Sequence, residues 1–503
     1  MAIFQNNLLM GAASQGSGGY SIDQSIRFND DDNPVLYKSI SSTSSSTTNT
    51  ISMWVKRSNL GNSDSGSGSD AYGQALFQSG RTASNFMELK FGGTTAGALG
   101  TAEDALSLVN VTGDSINMKI NTTAVFRDVS AWYHIVAIFD TTNAISSERL
   151  RLYVNGVRQT NFSSSTFPSA STATEMFNNT SNTPSIGAVK NTSETVRHFD
   201  GYLAEIHVVN GYAYDPSYFG ETNDNGIWVP KEYSGSYGTN GFYIKGADAS
   251  ALGTDSSGNG NNFTTSGLTS NDQMADTPTN NYAVMNLLDT NTTPNWTASN
   301  GNLDISWVGG NYTNHLFSTL SMPPTGKWYF EIKFVSDSNQ ILYYQSMRIG
   351  LMRDDFNAAM VQTTYAGVNL TDSATDPEIY LVLGNAGNSC QLSGMGNSIY
   401  NVGGSISAGD VINFAREGAN LWIGKNGTYY NSGNPATGSN PSLSDLQLKS
   451  YRANMHWTSS STSLGTAVVH AFFGADKSVG SGTGFNNTVP SGFLALNTTN
   501  LGS

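Results

Sequence analysis

Thirty-eight Asp and Glu side chains and six histidines are the groups of this 503-residue chain suited to acid–base or metal chemistry. Glycoside hydrolysis with retention needs two carboxyl groups about 5–5.5 Å apart. Alternate residues of a strand share a face and can supply such a pair, yet no Glu here is followed by Asp two residues later. The histidines are His134, His198, His207, His315, His456 and His470. None stands three to five residues from another, so no local zinc motif exists. The single cysteine, Cys390, excludes an internal disulfide and reads as a small buried apolar side chain. Gly66–Asp70 is Ser/Gly low complexity rather than a nucleophile elbow. These absences predict that the protein is not an enzyme.

Binding residues are easier to find. Asp30, Asp31 and Asp32, with Asp255, Asn259 and Asn261, form oxygen-rich loops of the kind calcium prefers. Asx turns call for the same residues, so no cofactor is required and calcium is the one candidate. Tyr212, Tyr214 and Tyr218 around Asp215, and Tyr429-Tyr430-Asn431, combine stacking rings with polar groups, as glycan sites do. The apolar Ile3, Phe4, Leu8, Leu9 and Met10 are poor choices for a solvated tail and suggest a docking peptide. Gly11–Gly19 would be its flexible tether. A net charge of −14 argues against nucleic acid as a partner. No run of about 18–20 apolar residues predicts membrane insertion. The start lacks a basic region, and the expectation is synthesis and folding in a cytoplasm without export.

The elements that must position these groups read as strands. Ile51–Val55 alternates in period two, Tyr133–Phe139 is a continuous apolar run, and Leu150, Leu152 and Val154 alternate before the hairpin signal Asn155-Gly156. Trp328, Phe330, Ile332 and Phe334 repeat the pattern, and Asn426-Gly427 supplies a second hairpin turn. Charged residues are only 12% of the chain, but aromatics at 11% argue against disorder. The expected fold is all-β: two jelly-roll-type sandwiches joined by a structured connector. The segments are 1–19 (docking and tether), 20–220 (first sandwich), 221–295 (connector) and 296–503 (second sandwich).

Two family patterns lie on these strands. Ser25–Asp30 (SIRFND), Ile51–Lys56 (ISMWVK), Trp132–Val136 (WYHIV), Leu152–Gly156 (LYVNG) and Phe199–Ile206 (FDGYLAEI) resemble the laminin-G-like, concanavalin-A-like jelly roll. That resemblance implies a fold shared by lectins, receptors, adhesins and glycosidases, and loops that often hold calcium. Such glycosidases commonly carry Glu-x-Asp-x-x-Glu, which is missing here. Gly326–Ile332 (GKWYFEI), Arg348–Leu351, Gly409–Ile412 and Asn420–Gly427 (NLWIGKNG) resemble the SPRY sandwich, which implies protein binding through loops. Asn413–Gly418 departs from that pattern, and a shifted strand or a shorter hairpin is expected there.

The opening Met1–Gly19, Gly211–Gly220 (GYAYDPSYFG), Asp255–Thr264 (DSSGNGNNFT), Asp276–Asn280 (DTPTN) and Pro490–Asn497 (PSGFLALN) resemble virion proteins of tailed marine bacteriophages. This implies a virion component assembled in the host cytoplasm, foremost a tail-fibre or host-attachment protein. A capsid fibre or head decoration is the alternative, and a jelly-roll polysaccharide-degrading enzyme the second. The implied partners are other virion proteins through the N-terminal segment, a host surface glycan or protein, and further copies of the chain.

Overall fold

The predicted alternation is realised in a computed structural model that describes residues 19–60, 70–97, 99–191, 195–289, 296–308, 313–338, 347–356, 378–382, 391–394, 397–401, 405–458 and 466–502. The proposed docking residues Ile3, Phe4, Leu8, Leu9 and Met10, and Cys390, lie outside the described residues. The chain divides into two units, one ending at Asn280 and the other beginning at Asn281. Among the described residues no helix is long and apolar enough to cross a membrane.

The first unit is a sandwich of two sheets. One runs Val157–Arg158, Leu150–Val154, Trp132–Asp140, Thr48–Arg57, Gly201–Asn210, Ser25–Phe28 and Gln273–Met274. The other runs Phe162–Thr166, Ser115–Val125, Ala105–Thr112, Asn85–Gly92, Gly73–Thr82, Ser185–Ile186, Val35–Tyr37 and Thr264–Ser266. Alternate residues of the first, such as Ile51, Met53, Val55, Ile135 and Ala137, meet Met87, Leu89, Leu106, Leu108 and Ile120 of the second in one core. Each of the larger of these side chains, Val, Leu, Ile or Met, is worth about 1.5–3 kcal/mol when fully buried. Asn155 (φ 48°) and Gly156 (φ 74°) make the predicted hairpin turn, with Val154 opposite Val157.

The connector expected over 221–295 is corrected. Phe242–Ile244 pairs with Gly201–Asn210, Thr264–Ser266 with Val35–Tyr37, and Gln273–Met274 with Ser25–Phe28. The segment through Asn280 therefore completes the first sandwich rather than joining two of them. Its charge is needed inside. Lys56 Nζ and Asp276 Oδ2 pair at 2.6 Å with neither side chain exposed to solvent, and Trp132 Nε1 donates to Asp276 Oδ1 at 3.1 Å. A buried lysine is tolerated only with such a partner.

In the second unit one sheet carries Met285–Asn286, Thr313–Met322, Tyr451–Thr458, Arg348–Arg353 and three further strands up to Asn401. The other carries Trp296–Ser299, Asp304–Val308, Thr466–Phe472, Lys327–Asp337, Val411–Glu417, Asn420–Lys425 and Thr428–Tyr429. Val411–Glu417 pairs residue for residue with Lys327–Lys333, so that strand is not shifted, and Gly418-Ala419 turns it in a two-residue hairpin into Asn420–Lys425. Buried Arg416 ties the sheets, donating to the Met322 and Lys449 carbonyls and lying over the Tyr451 ring. Glu331 is fully buried and accepts from the backbone and side-chain N–H groups of Asn486 and Asn487 at 2.7–3.2 Å. Donors rather than a cation hold that charge.

Candidate functional site

The strand Gly201–Asn210 breaks register against Thr48–Arg57 between Ala204 and His207. Within this bulge Glu205 adopts φ 49°, a left-handed conformation that costs a non-glycine residue about 1–2 kcal/mol. The bulge aims Glu205 at a group of rings. Its Oε2 accepts from Tyr20 O–H at 3.1 Å and meets His207 Nε2 at 3.3 Å, and its Oε1 accepts from Tyr243 O–H. His207 Nδ1 lies 2.8 Å from Tyr237 Oη, and the imidazole stacks on Tyr243 at 4.2 Å. Glu205 and His207 are only 5% and 3% exposed.

Burial alone would push the Glu205 carboxyl up, but His207 and the Tyr243 and Tyr20 hydroxyls outweigh it and hold it below the usual range. Burial, followed by the Glu205 charge, pushes Tyr20 up to about 12 and Tyr243 higher still. Burial likewise raises Tyr237 and Tyr233. At neutral pH the result is a fixed carboxylate surrounded by protonated hydroxyls. These groups line a cavity of about 380 Å³ that Asp23, Glu232 and Lys245 also border.

The aromatic lining continues outward. Tyr233 stacks on Phe219 at 4.8 Å, meets Tyr237 edge-on at 4.9 Å and reaches Tyr214 at 6.1 Å. Tyr214 lies between Tyr212 (5.2 Å, 4° between planes) and Tyr218 (4.2 Å, 25°). Tyr212 and Tyr218 are 40% and 43% exposed. The ladder is anchored on the sandwich. Thr50 Oγ1 donates to the Tyr212 carbonyl at 3.0 Å and accepts from the Tyr214 N–H at 2.9 Å. The 3₁₀ turn Pro216–Tyr218 is capped by Asp215, whose Oδ1 accepts from Ser217 N–H and Oγ–H. A series of contacting rings thus leads from the exposed ladder to Tyr233, which lines the polar cavity.

Of the residues singled out in the sequence, Tyr212, Tyr214 and Tyr218 come together as this ladder, while Asp215 caps the turn beneath it. Tyr429 belongs to the second unit, where it packs onto the cluster of Trp422, Phe485 and Phe493. Asn431 there adopts φ 58° and donates to the Pro441 carbonyl. Residues of the two groups named as cation ligands are engaged in their own loops. Asp255 Oδ1 accepts from Tyr243 N–H and Ser257 N–H, and its Oδ2 from Ser257 Oγ–H and Asn261 N–H. Asn259 and Asn261 donate to carbonyls of residues 238–241. Asp30–Asp32 form a 3₁₀ turn in which Asp32 Oδ2 accepts from Asn29 Nδ2. At Asp255, Asn259 and Asn261 these bonds are the local ones that turn chemistry calls for. Among the described residues no three His, Cys, Asp or Glu side chains converge as a metal site.

Glu205, Tyr20, Tyr233, Tyr237 and Tyr243 were not singled out from the sequence, and His207 was named only as one of the six histidines. Their only signal was a Glu and a His two residues apart in a strand that is otherwise largely apolar. His134, by contrast, is structural. It stacks on Trp54 at 4.8 Å, accepts from Trp228 Nε1 at Nδ1 (2.9 Å), and so carries its proton on Nε2 toward Ser52 Oγ at 2.8 Å. Burial and the neighbouring His207 push its pKa down to about 3.

Residues 29–215 match the family described as the concanavalin A-like lectin/glucanases superfamily, in its laminin-G form. No curated protein matches the chain. Among solved structures, a Bacteroides ovatus protein described as a "putative carbohydrate binding protein" is similar at 17% identity over 50% of this chain, with a TM-score of 0.31. The chain spans 60% of that protein's length. Domains LG4-5 of the mouse laminin α1 chain are similar at 8% identity over 91% of this chain and 90% of theirs, with a TM-score of 0.28. Domain 4 of an extracellular arabinanase from Geobacillus stearothermophilus, in complex with arabinotriose, is similar at 18% identity over 34% of this chain and 65% of its own, with a TM-score of 0.22.

Proposed function

We propose that the tyrosine ladder and the cavity next to it form one cleft of the first sandwich that binds a glycan, and that the chain is a host-attachment component of a tailed bacteriophage particle. The observation that carries the binding reading is the unbroken series of rings from Tyr212 and Tyr214 through Tyr233 to Tyr237 and Tyr243. Sugars present apolar C–H faces and hydroxyl edges. An exposed ladder suits the faces, and a cavity with Glu205, the tyrosine hydroxyls and Lys245 suits the edges. The laminin-G-like fold of residues 29–215 agrees with this reading. Binding is favoured over hydrolysis because Glu205 is ionised and already accepts from three side chains, which leaves it no proton to give a leaving group.

The particle assignment rests on the sequence resemblance, and two of the stretches that carry it build this cleft. Gly211–Gly220 supplies the ladder, and the Asp255–Thr264 loop holds the Tyr243 backbone through Asp255. In this reading the N-terminal segment docks on the particle, the SPRY-like second unit adds a protein-binding surface, and the chain assembles as a homo-oligomer. Tail placement is preferred over the head because a glycan cleft serves host contact. Titration of the full chain with purified host surface polysaccharide tests the binding, and immunogold labelling of particles tests the placement. Saturable binding that is lost on Tyr214→Ala, with label at the tail, is expected. Saturable binding unchanged in that variant would sink the cleft, and label confined to the head would sink the tail placement.

A further inference from the structure

We infer that the cavity at the inner end of the cleft takes the ammonium group of a sugar bearing a free amine. The inference rests on the glycan reading above and adds the ligand's charge and chemical class. Three carboxylates border the cavity, Asp23, Glu205 and Glu232, against one ammonium, Lys245. The innermost, Glu205, is 5% exposed and reaches the cavity only because the bulge holds it at φ 49°. Backbone strain of this kind persists where surrounding structure imposes it, and it recurs at ligand clamps. The partners of Glu205 are two neutral tyrosine hydroxyls and an imidazole, so no arginine or lysine is among the groups that hydrogen-bond to it.

The walls point the same way. Tyr20, Tyr233, Tyr237 and Tyr243 all line the space. The negative faces and hydroxyl oxygens of such rings attract an ammonium within about 6 Å of a ring centroid, most strongly where water is excluded. At about 380 Å³ the cavity lies near the small end of ligand sites, which run to roughly 1,000 Å³, and suits one sugar ring rather than an extended chain. The next rings of a saccharide would then lie along Tyr233, Tyr214 and Tyr218. A neutral N-acetylated sugar would gain no charge complement from the three acids and would need extra room for its acetyl group.

Calorimetric titration of the full chain with a β-1,4-linked glucosamine tetramer and with its N-acetylated counterpart tests this, at about pH 6, where the sugar amine is protonated. The free-amine form should bind at least tenfold more tightly at low salt. That advantage should shrink in about 0.3 M NaCl, because part of it is screened. Asp23→Asn with Glu232→Gln should remove most of it. Glu103→Gln with Asp114→Asn, which neutralises two exposed acids elsewhere on the sandwich, should leave it intact. Melting temperatures within 2 °C of wild type would certify that both double variants are folded. Equal affinity for the two tetramers overturns the inference, as does an advantage lost equally in both double variants. Binding of another, neutral glycan at the cleft with neither tetramer bound also overturns it and leaves the glycan reading standing. No binding of any surface glycan fails the reading itself.

Discussion

Removing the Asp276 carboxylate tests whether the turn-rich segment after residue 220 belongs to the first sandwich. In the wild type Lys56 and Asp276 pair at 2.6 Å with both side chains at 0% exposure, and Trp132 donates to the same carboxylate. Asp276→Ala strands a buried ammonium and a buried indole N–H. Breaking one side of a buried ion pair costs about 3–5 kcal/mol. A domain of 150–250 residues loses about 2–4 °C per kcal/mol, so the first unit should melt roughly 6–20 °C lower. Differential scanning calorimetry of the full chain is the assay. The matched double variant Lys56→Met with Asp276→Leu should recover much of the loss, because two packed apolar groups replace the pair. A shift under 2 °C for Asp276→Ala, or a double variant no more stable than the single, would refute the reasoning. So would a chain cut at residue 220 that melts like the intact first unit.

Other consequences can be measured on the same protein. His134 is held neutral in the fold down to about pH 3 against an ordinary value of 6.5, so between those values the unfolded chain binds a proton that the folded chain does not. This group's contribution is therefore complete above 6.5 and falls on acidification by up to about 1.4 kcal/mol per pH unit; urea midpoints across pH 4–7 should show a slope that His134→Gln flattens. Gly156 sits at φ 74° with the Trp228 ring 2.5–2.9 Å from where a Cβ would lie, so Gly156→Ala should destabilise by at least 1–2 kcal/mol and shift tryptophan emission; an unchanged spectrum would count against that packing. Because Asp255 already accepts from four donors, millimolar calcium should leave the melting temperature within 1 °C, whereas a rise of several degrees would reinstate a cation site.

The strands of both units were legible because their apolar residues alternate or run together, as at Ile51–Val55 and Lys327–Phe334, and because Asn-Gly marks their hairpins. Which sheet the short strands at 242–244, 264–266 and 273–274 join was not, since two or three residues carry no period and their partners lie more than thirty residues away in sequence. The exposed part of the site was readable as Tyr212, Tyr214 and Tyr218. Its buried end was hidden because a β-bulge reverses which face a residue occupies, and nothing in the composition around Glu205 announces one. Asp255 and Asp215 show the converse. A loop carboxylate has the composition of a ligand and also accepts from the backbone two residues on, and the sequence alone does not separate the two roles.

The most direct measurement of the central claim is hydroxyl-radical footprinting of the full chain with and without saturating host polysaccharide. Protection should concentrate on Tyr212, Tyr214, Tyr218 and Tyr233, with Tyr429 and Tyr430 unchanged. Protection at Tyr429 and Tyr430 instead, or none at the ladder while the glycan is demonstrably bound, would contradict the account.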